Sequence, residues 1–265
     1  MKLAFSCLIV ATILVGMCIG GDNSLVGTWE FVGTKWVAAD GTPGEWLVAD
    51  HGGRSLKLFT ATHFAVVTHA ADGTFGNAHA GAYTIRGNTF VETLENSSTD
   101  WVGRKIPHTF RVEKDILTNF WGSPGDRRQA RETWHRLSKI QEDHRLIGAW
   151  ELVGKKWVDA DGTTREWSVA EAGGRSLKLF TATHFAAVTH GTDGSFADAH
   201  AGPYDLAGNT YTERIENSSI PELLGSELTH SFTLEKDLLK ASYVHPKTKV
   251  RTEEIWRRVR PPEGN

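Results

Sequence analysis

Apolar and polar residues alternate in short runs along most of this chain, and Gly, Asp, Asn or Pro interrupts them roughly every eight to twelve positions. No stretch sustains a 3.6-residue period. The alternation predicts strands at Leu25–Val32, Glu45–Val48, Arg54–Phe59, His63–Thr68, His79–Ile85, Thr89–Asn96, His108–Glu113, Ile116–Trp121 and Arg128–Leu137. Neighbouring short strands must close on one another or stack as a sandwich to hide their edges. Consecutive hairpins without long crossovers favour closure, so the expected class is all-β, an antiparallel barrel.

The pattern then repeats. HGGRSLKLFTATHFAVVTH, from His51 to His69, returns as AGGRSLKLFTATHFAAVTH, and Trp29, Lys57, Tyr83 and Glu92 recur at one constant offset as Trp150, Lys178, Tyr204 and Glu213. Roughly two-thirds of the positions between Leu25 and Ser98 are identical in the second copy, which marks a tandem duplication. The expected organisation is a barrel over residues 25–137, a short polar linker over 138–145 (SKIQEDHR) and a second barrel over 146–260. A linker so short keeps the two units close.

The hairpin from His79 to Asn96 can be read in register. Gly87-Asn88 is a two-residue turn of the kind that supplies positive φ. Arg86 then faces Thr89, followed by Ile85 with Phe90, Tyr83 with Glu92, Gly81 with Leu94, and His79 with Asn96. In the second copy the same reading pairs Leu206 with Tyr211, Tyr204 with Glu213, Gly202 with Ile215 and His200 with Asn217. The face holding Ile85, Phe90 and Leu94 must look inward, and it carries Tyr83, Glu92, His79 and Asn96 with it.

A carboxylate on an apolar inner face needs a partner, and Tyr83 across the strand pair is the expected donor. The bland outcome is a satisfied structural pair in the barrel wall. The sharper one makes Glu92 the polar anchor of a ligand or a general acid/base. His108 shares parity with Phe110 and Val112, so it too is expected inward, near Glu92 and His79. The candidate ligand-binding residues are therefore Tyr83, Glu92 and His108 in the first copy and Tyr204, Glu213 and His230 in the second. Glu92, His79 and His108 together could hold zinc, but no HExxH or comparable spacing supports a metal, and none is assigned. His63 and His69 lie on a strand that is apolar on both faces, so their orientation is open. Asn96-Ser97-Ser98 and Asn217-Ser218-Ser219 match the glycosylation pattern, but the register puts both asparagines on the inner face, where no glycan could sit.

Charge and the N-terminal region narrow the setting. The formal net charge is −3 with no block of one sign, so nothing recommends nucleic acid or an anionic membrane as partner. Residues 1–21 carry one early positive charge, Lys2, then the apolar run LAFSCLIVATILVGMCI and the small residues Gly20 and Gly21. This predicts a removed secretory signal and hence a secreted or periplasmic protein with no transmembrane segment in the mature chain. Cys7 and Cys18 are the only cysteines and both fall in that segment, leaving a mature chain without disulfides. A lipid anchor on Cys18 is the rival reading, although Met17 stands where such signals usually carry a small residue.

The opening strand, Leu25-Val26-Gly27-Thr28-Trp29-Glu30-Phe31-Val32, repeated as Leu146-Ile147-Gly148-Ala149-Trp150-Glu151-Leu152-Val153, resembles the Gly-x-Trp start of the lipocalins and the wider calycin group. The KLFTATHF and Gly-x-Tyr…Gly-Asn-Thr-(Phe/Tyr)-x-Glu segments are similar to small exported bacterial lipocalin-like domains. The resemblance implies that the Trp closes one barrel end beneath an Arg from a late strand, a role for Arg136 in ETWHR and Arg258 in EIWRR. It also implies a cup for a small apolar or amphipathic molecule, with no cofactor. A cofactor-independent isomerase or lyase run by the Glu/Tyr pair, and a structural or adhesive module with filled barrels, are the alternatives.

Overall fold

The computed structural model describes residues 23–38, 42–47, 53–70, 72–122, 128–138, 143–168, 174–191, 193–245 and 248–260. The expected leader, both cysteines and part of the linker lie outside the described residues. Nine strands build the first copy: β1 (Gly27–Ala38), β2 (Pro43–Leu47), β3 (Arg54–Phe59), β4 (His63–His69), β5 (Phe75–Arg86), β6 (Thr89–Ser97), β7 (Lys105–Glu113), β8 (Ile116–Trp121) and β9 (Arg128–Leu137). The second copy repeats them as β10 (Gly148–Val158), β11 (Thr164–Ser168), β12 (Arg175–Phe180), β13 (His184–His190), β14 (Phe196–Ala207), β15 (Thr210–Arg214), β16 (Asn217–Ser218), β17 (Glu227–Glu235), β18 (Leu238–Val244) and β19 (Arg251–Arg258), with the sixth strand broken in two. The described residues hold no α-helix.

Each copy closes on itself. β1 pairs with β9 from Thr28↔Leu137 to Ala38↔Arg128, while its other edge carries β3 at Gly27–Glu30 and β2 at Thr34–Val37. The rest are consecutive antiparallel hairpins, and β10 closes onto β19 in the same way. The result is two closed antiparallel eight-stranded barrels in tandem, lipocalin-like in architecture as the opening strand suggested.

The closed end of each barrel explains Gly-x-Trp. Trp29 is fully buried, its indole N–H donates to Leu25 O at 2.7 Å, and the Arg136 guanidinium lies 4.0 Å above the ring. Arg136 also donates to Val26 O and Ser24 O, tying the incoming chain to the last strand. A Cβ on Gly27, whose φ is +137°, would sit 2.8 Å from that guanidinium, so the glycine makes room for the lid. Trp150, Arg258 and Gly148 repeat the arrangement, with the guanidinium at 4.1 Å.

The predicted hairpin register holds from Arg86↔Thr89 through Tyr83↔Glu92 to Gly81↔Leu94, and the second copy matches at Tyr204↔Glu213 and Leu206↔Tyr211. Beyond that point it fails. A bulge opposite Ala80 and Gly81 pairs Ala80 with Asn96 and His79 with Ser97, not His79 with Asn96. Likewise Ala201 pairs with Asn217 and His200 with Ser218, and Ile215 lies outside the strand ladder. The extra residue, Glu95 or Glu216, shifts the alternation by one and turns each asparagine out of its own barrel. Gly81 permits this, since a Cβ there would fall 2.0 Å from Thr93 O.

The asparagines point into the other barrel. Asn96 donates to Arg175 O and Val188 O, both at 2.9 Å, and Asn217 reciprocates to Arg54 O at 3.1 Å and Val67 O at 2.8 Å. His69 and His190 complete the exchange: Ser218 N–H donates to His69 Nε2 and Ser97 N–H to His190 Nε2, each at 2.8 Å. Between them lies a shared apolar core made by the outer faces of β3–β5 and β12–β14. It joins Leu56, Leu58, Val67 and Ala80 to Leu177, Leu179, Val188 and Ala201. Phe75 stacks on Phe196 at 5.5 Å beside it. The strand that looked apolar on both faces, β4, is buried on both faces, one inside its own barrel and one against its twin.

Candidate functional site

Alternation along β3 sends Leu56 and Leu58 to the shared core, so Ser55, Lys57 and Phe59 face into the first barrel. Lys57 is 3% exposed, and its ammonium lies 2.6 Å from Glu92 Oε1. His108, on β7, presents Nε2 to Glu92 Oε2 at 3.1 Å, and Phe90 stacks on its ring at 4.5 Å. Asn119, on β8, donates to His108 Nδ1 and to Glu132 Oε2, both at 3.1 Å. An imidazole that accepts at Nδ1 offers its proton from Nε2, so His108 donates to Glu92. Trp121 and Trp134 donate their indole N–H groups to Glu132 at 2.7 and 3.1 Å. The inner wall thus carries one continuous polar chain: Lys57, Glu92, His108, Asn119, Glu132 and the two tryptophans.

Burial by itself would raise the Glu92 pKa, but the Lys57 ammonium and then His108 outweigh it, and the carboxyl is held far below its usual range. Glu92 is ionised at any ordinary pH. Burial pushes His79, beside it, down to about 4, with Glu92 opposing and Lys57 reinforcing the shift. In the second barrel Lys178 Nζ is 3.0 Å from Glu213 Oε1 and His230 Nε2 is 3.3 Å from Oε2, and Glu213 is depressed for the same reasons.

Glu92 and His108 come together as their strand parities predicted. Tyr83 faces Glu92 across the ladder, but its hydroxyl donates to Thr60 O at 2.7 Å, so it is not the carboxylate's donor. Tyr204 does the same to Thr181 O at 2.9 Å. Both rings pack edge-on against a phenylalanine, Phe59 or Phe180, in the apolar filling at 5.1 Å. The true donor, Lys57, figured in the sequence only as a marker of the repeat. Its signal was a lone lysine between Leu56 and Leu58, and alternation misdirects it, because the leucine face that reads as the inner one is buried against the second barrel. Glu132 was missed although it shares parity with Trp134 on β9.

Above the polar chain each barrel is hollow. A cavity of about 660 Å³ opens over Lys57, Glu92, His79, His108 and Glu132 in the first copy. One of about 700 Å³ opens over Lys178, Glu213, His200, His230 and Glu254 in the second. Tyr83 and Tyr204 do not line them. His63 faces outward, 3.7 Å from the bulge residue Glu95, and His69 takes part in the contact between barrels. Among the described residues no cluster of three or more His, Cys, Asp or Glu is disposed to hold a metal ion. At Glu92 the cation present is the lysine ammonium. No described helix is long and apolar enough to cross a membrane.

Residues 145–265 match a family model described as a domain of unknown function, DUF4488. No curated protein sequence matches. Among solved structures, the chain is similar to a protein of unknown function from the DUF3598 family of Nostoc punctiforme (11% identity, 89% of this chain and 97% of that one, TM-score 0.27). It is also similar to a point mutant of the fluorescent protein UnaG (14%, 44% and 99%, 0.25) and to isotype 1 transferrin binding protein B of serogroup B Neisseria meningitidis (10%, 88% and 76%, 0.28). The barrel architecture stands on the strand pairings described above.

Proposed function

We propose that this is an exported tandem binding protein whose two barrels each take one small apolar or amphipathic molecule, tail in the cup and polar group on the inward ions. The observation that carries this is the pair of cavities over buried charge, about 660 and 700 Å³, within the usual range of small-molecule sites. Barrels filled by their own side chains would have suited a structural or adhesive module. The isomerase or lyase alternative loses its acid/base pair, because Tyr83 and Tyr204 spend their hydroxyls on backbone carbonyls. The polar groups open to a ligand are Glu92 with His108 and Glu132 in the first barrel, and Glu213 with His230 and Glu254 in the second; Tyr83 and Tyr204 shape the filling beneath. Export rests on the leader at residues 1–21.

Calorimetric titration of the mature chain with fatty acids, sterols, porphyrins and aromatic acids tests the reading. Saturable binding at two sites, weakened at least about tenfold by Glu92→Ala with Glu213→Ala, is the expected result. Affinity unchanged in that double variant would move the site elsewhere. Failure of every class of ligand to bind would leave the structural reading.

A further inference from the structure

The two cavities are copies, yet their walls have diverged in a coordinated way. Thr34, opposite Glu132 on β1, becomes Lys155, whose ammonium lies 3.1 Å from Glu254 Oε1. Asn119, which ties Glu132 to His108, becomes Ala241. Around the same cavity Phe31, Trp101 and Trp121 become Leu152, Leu223 and Tyr243, while Trp134 is kept as Trp256. The second cavity therefore pairs both inner carboxylates with lysines: Lys178 with Glu213, and Lys155 with Glu254.

Among the described residues, the first cavity has one lysine for two inner carboxylates. Among the described ionised groups lining it, Lys57 is taken by Glu92, and Arg54 is held by Glu30 and Glu216. Asp72 at the rim is fully exposed and folded back onto Thr74. Among the described residues, Glu132 faces the cavity with only neutral donors around it, the amide of Asn119 and two indole N–H groups. Beside it the Asn119 carbonyl oxygen is buried without a partner. The aromatic rings present faces that attract cations, and the carboxylate supplies the countercharge. Trp101 already has the Arg104 guanidinium 5.7 Å from its ring centre. Phe31 and Trp134 meet edge to face at 4.8 Å.

We infer that the first barrel selects an organic cation, a primary ammonium carried on an apolar tail and seated on Glu132 among Phe31, Trp101, Trp121 and Trp134, whereas the second barrel, neutralised by Lys155, selects a neutral or anionic amphiphile. The inference rests on the cup reading above and deepens it. An ammonium would place its N–H donors on a carboxylate that now accepts only from neutral groups. In the second barrel Lys155 fills that role from within, so an incoming cation meets a balanced pair.

The test uses the mature chain and three probes of equal tail length, decylamine, decanol and decanoate, titrated calorimetrically at neutral pH, where the amine is protonated. One site should prefer decylamine over decanoate by at least about tenfold, the ratio that ~1.4 kcal/mol provides. Glu132→Gln, which removes the charge and keeps an acceptor oxygen for one of the two indoles, should remove that preference, so that the amine binds no better than decanol. Thr34→Lys should do the same by supplying the second copy's cation. Glu254→Gln should leave the amine site untouched. The charge assignment is overturned if decanoate binds the first barrel as well as the amine does, or if neither first-barrel variant alters the preference. If none of the three probes binds, the cup reading itself fails, an outcome distinct from binding without charge preference. Thermal melts of each variant separate a lost site from a lost fold.

Discussion

Lys57 and Glu92 show what a single buried charge requires. Each is almost wholly excluded from solvent, and the attraction at 2.6 Å offsets a desolvation cost that neither could bear alone. Lys57→Met should destabilise the chain by about 3–5 kcal/mol in urea unfolding, because it strands an ionised carboxylate. Adding Glu92→Leu to it should recover most of that loss; no recovery would mean that the lysine acts through packing and not through charge. The pH dependence follows from the same cluster. His79 titrates normally near 6.5 when unfolded but only near 4 in the fold, and His200 is likewise pushed down by burial. Between those values the unfolded chain binds protons that the folded chain refuses, so stability falls as pH falls. Below about 4.5 the depressed Glu92 and Glu213 add a loss of the same sign. The urea midpoint should therefore drop from pH 6.5 downward, and His79→Gln with His200→Gln should flatten the curve above pH 4.5 while leaving the steeper acid limb. A flat wild-type profile over pH 6.5 to 4.5 would contradict the buried, neutral histidines.

At the scale of the strand, alternation made nearly every element legible. Arg54–Phe59, Ile116–Trp121 and Arg128–Leu137 stand where the pattern predicts them, and the Gly87-Asn88 turn correctly set the first pairs of its hairpin. What alternation cannot reveal is an inserted residue, because a bulge keeps the composition of both strands and changes only the parity beyond it. Glu95 and Glu216 are such residues, and they turned Asn96 and Asn217 from presumed inner-face positions into ties between barrels. A related limit hid Lys57: period-two reading takes the Leu56 and Leu58 face of β3 as the inner one, whereas that face packs on the other barrel. The charge pairs close only when three separate strands meet, which no local pattern encodes. Asn96→Ala should cost about 1–3 kcal/mol, since two buried carbonyls, Arg175 O and Val188 O, lose a donor that no water can readily replace. Asn96→Asp should be worse, as it adds a buried negative charge against those carbonyls. A chemical-denaturation midpoint unchanged by Asn96→Ala would place these bonds outside the stabilising contacts.

The whole molecule is organised by the pairing of its duplicated faces. Asn96 reaches the backbone at Arg175 and Val188 while Asn217 reaches that at Arg54 and Val67, and Phe75 meets its own counterpart, Phe196. Reciprocity of this kind is the mark of a two-fold, self-complementary contact. The chain thus behaves as a covalently joined dimer of one ancestral barrel, its two copies joined across a common wall. Each barrel supplies its own closing strand and lid, so a single copy can complete its hydrogen-bond ladder. It cannot hide Leu56, Leu58, Ala65, Val67, Ala78 and Ala80, all at 0% exposure only because the other copy covers them. An apolar patch of that extent drives association. Residues 24–138 expressed alone should therefore unfold cooperatively yet sediment as a homodimer, held by the face that β3, β4 and β5 present to the second copy. Replacing Val67 with Asp should convert that dimer to monomer and lower its denaturation midpoint. The same substitution in the full chain should loosen the two barrels without opening either one, because Val67 points away from both cups. A stable monomeric half with its apolar face bare would show that the wall between the barrels contributes little, and that closure and the buried charge network suffice for each cup.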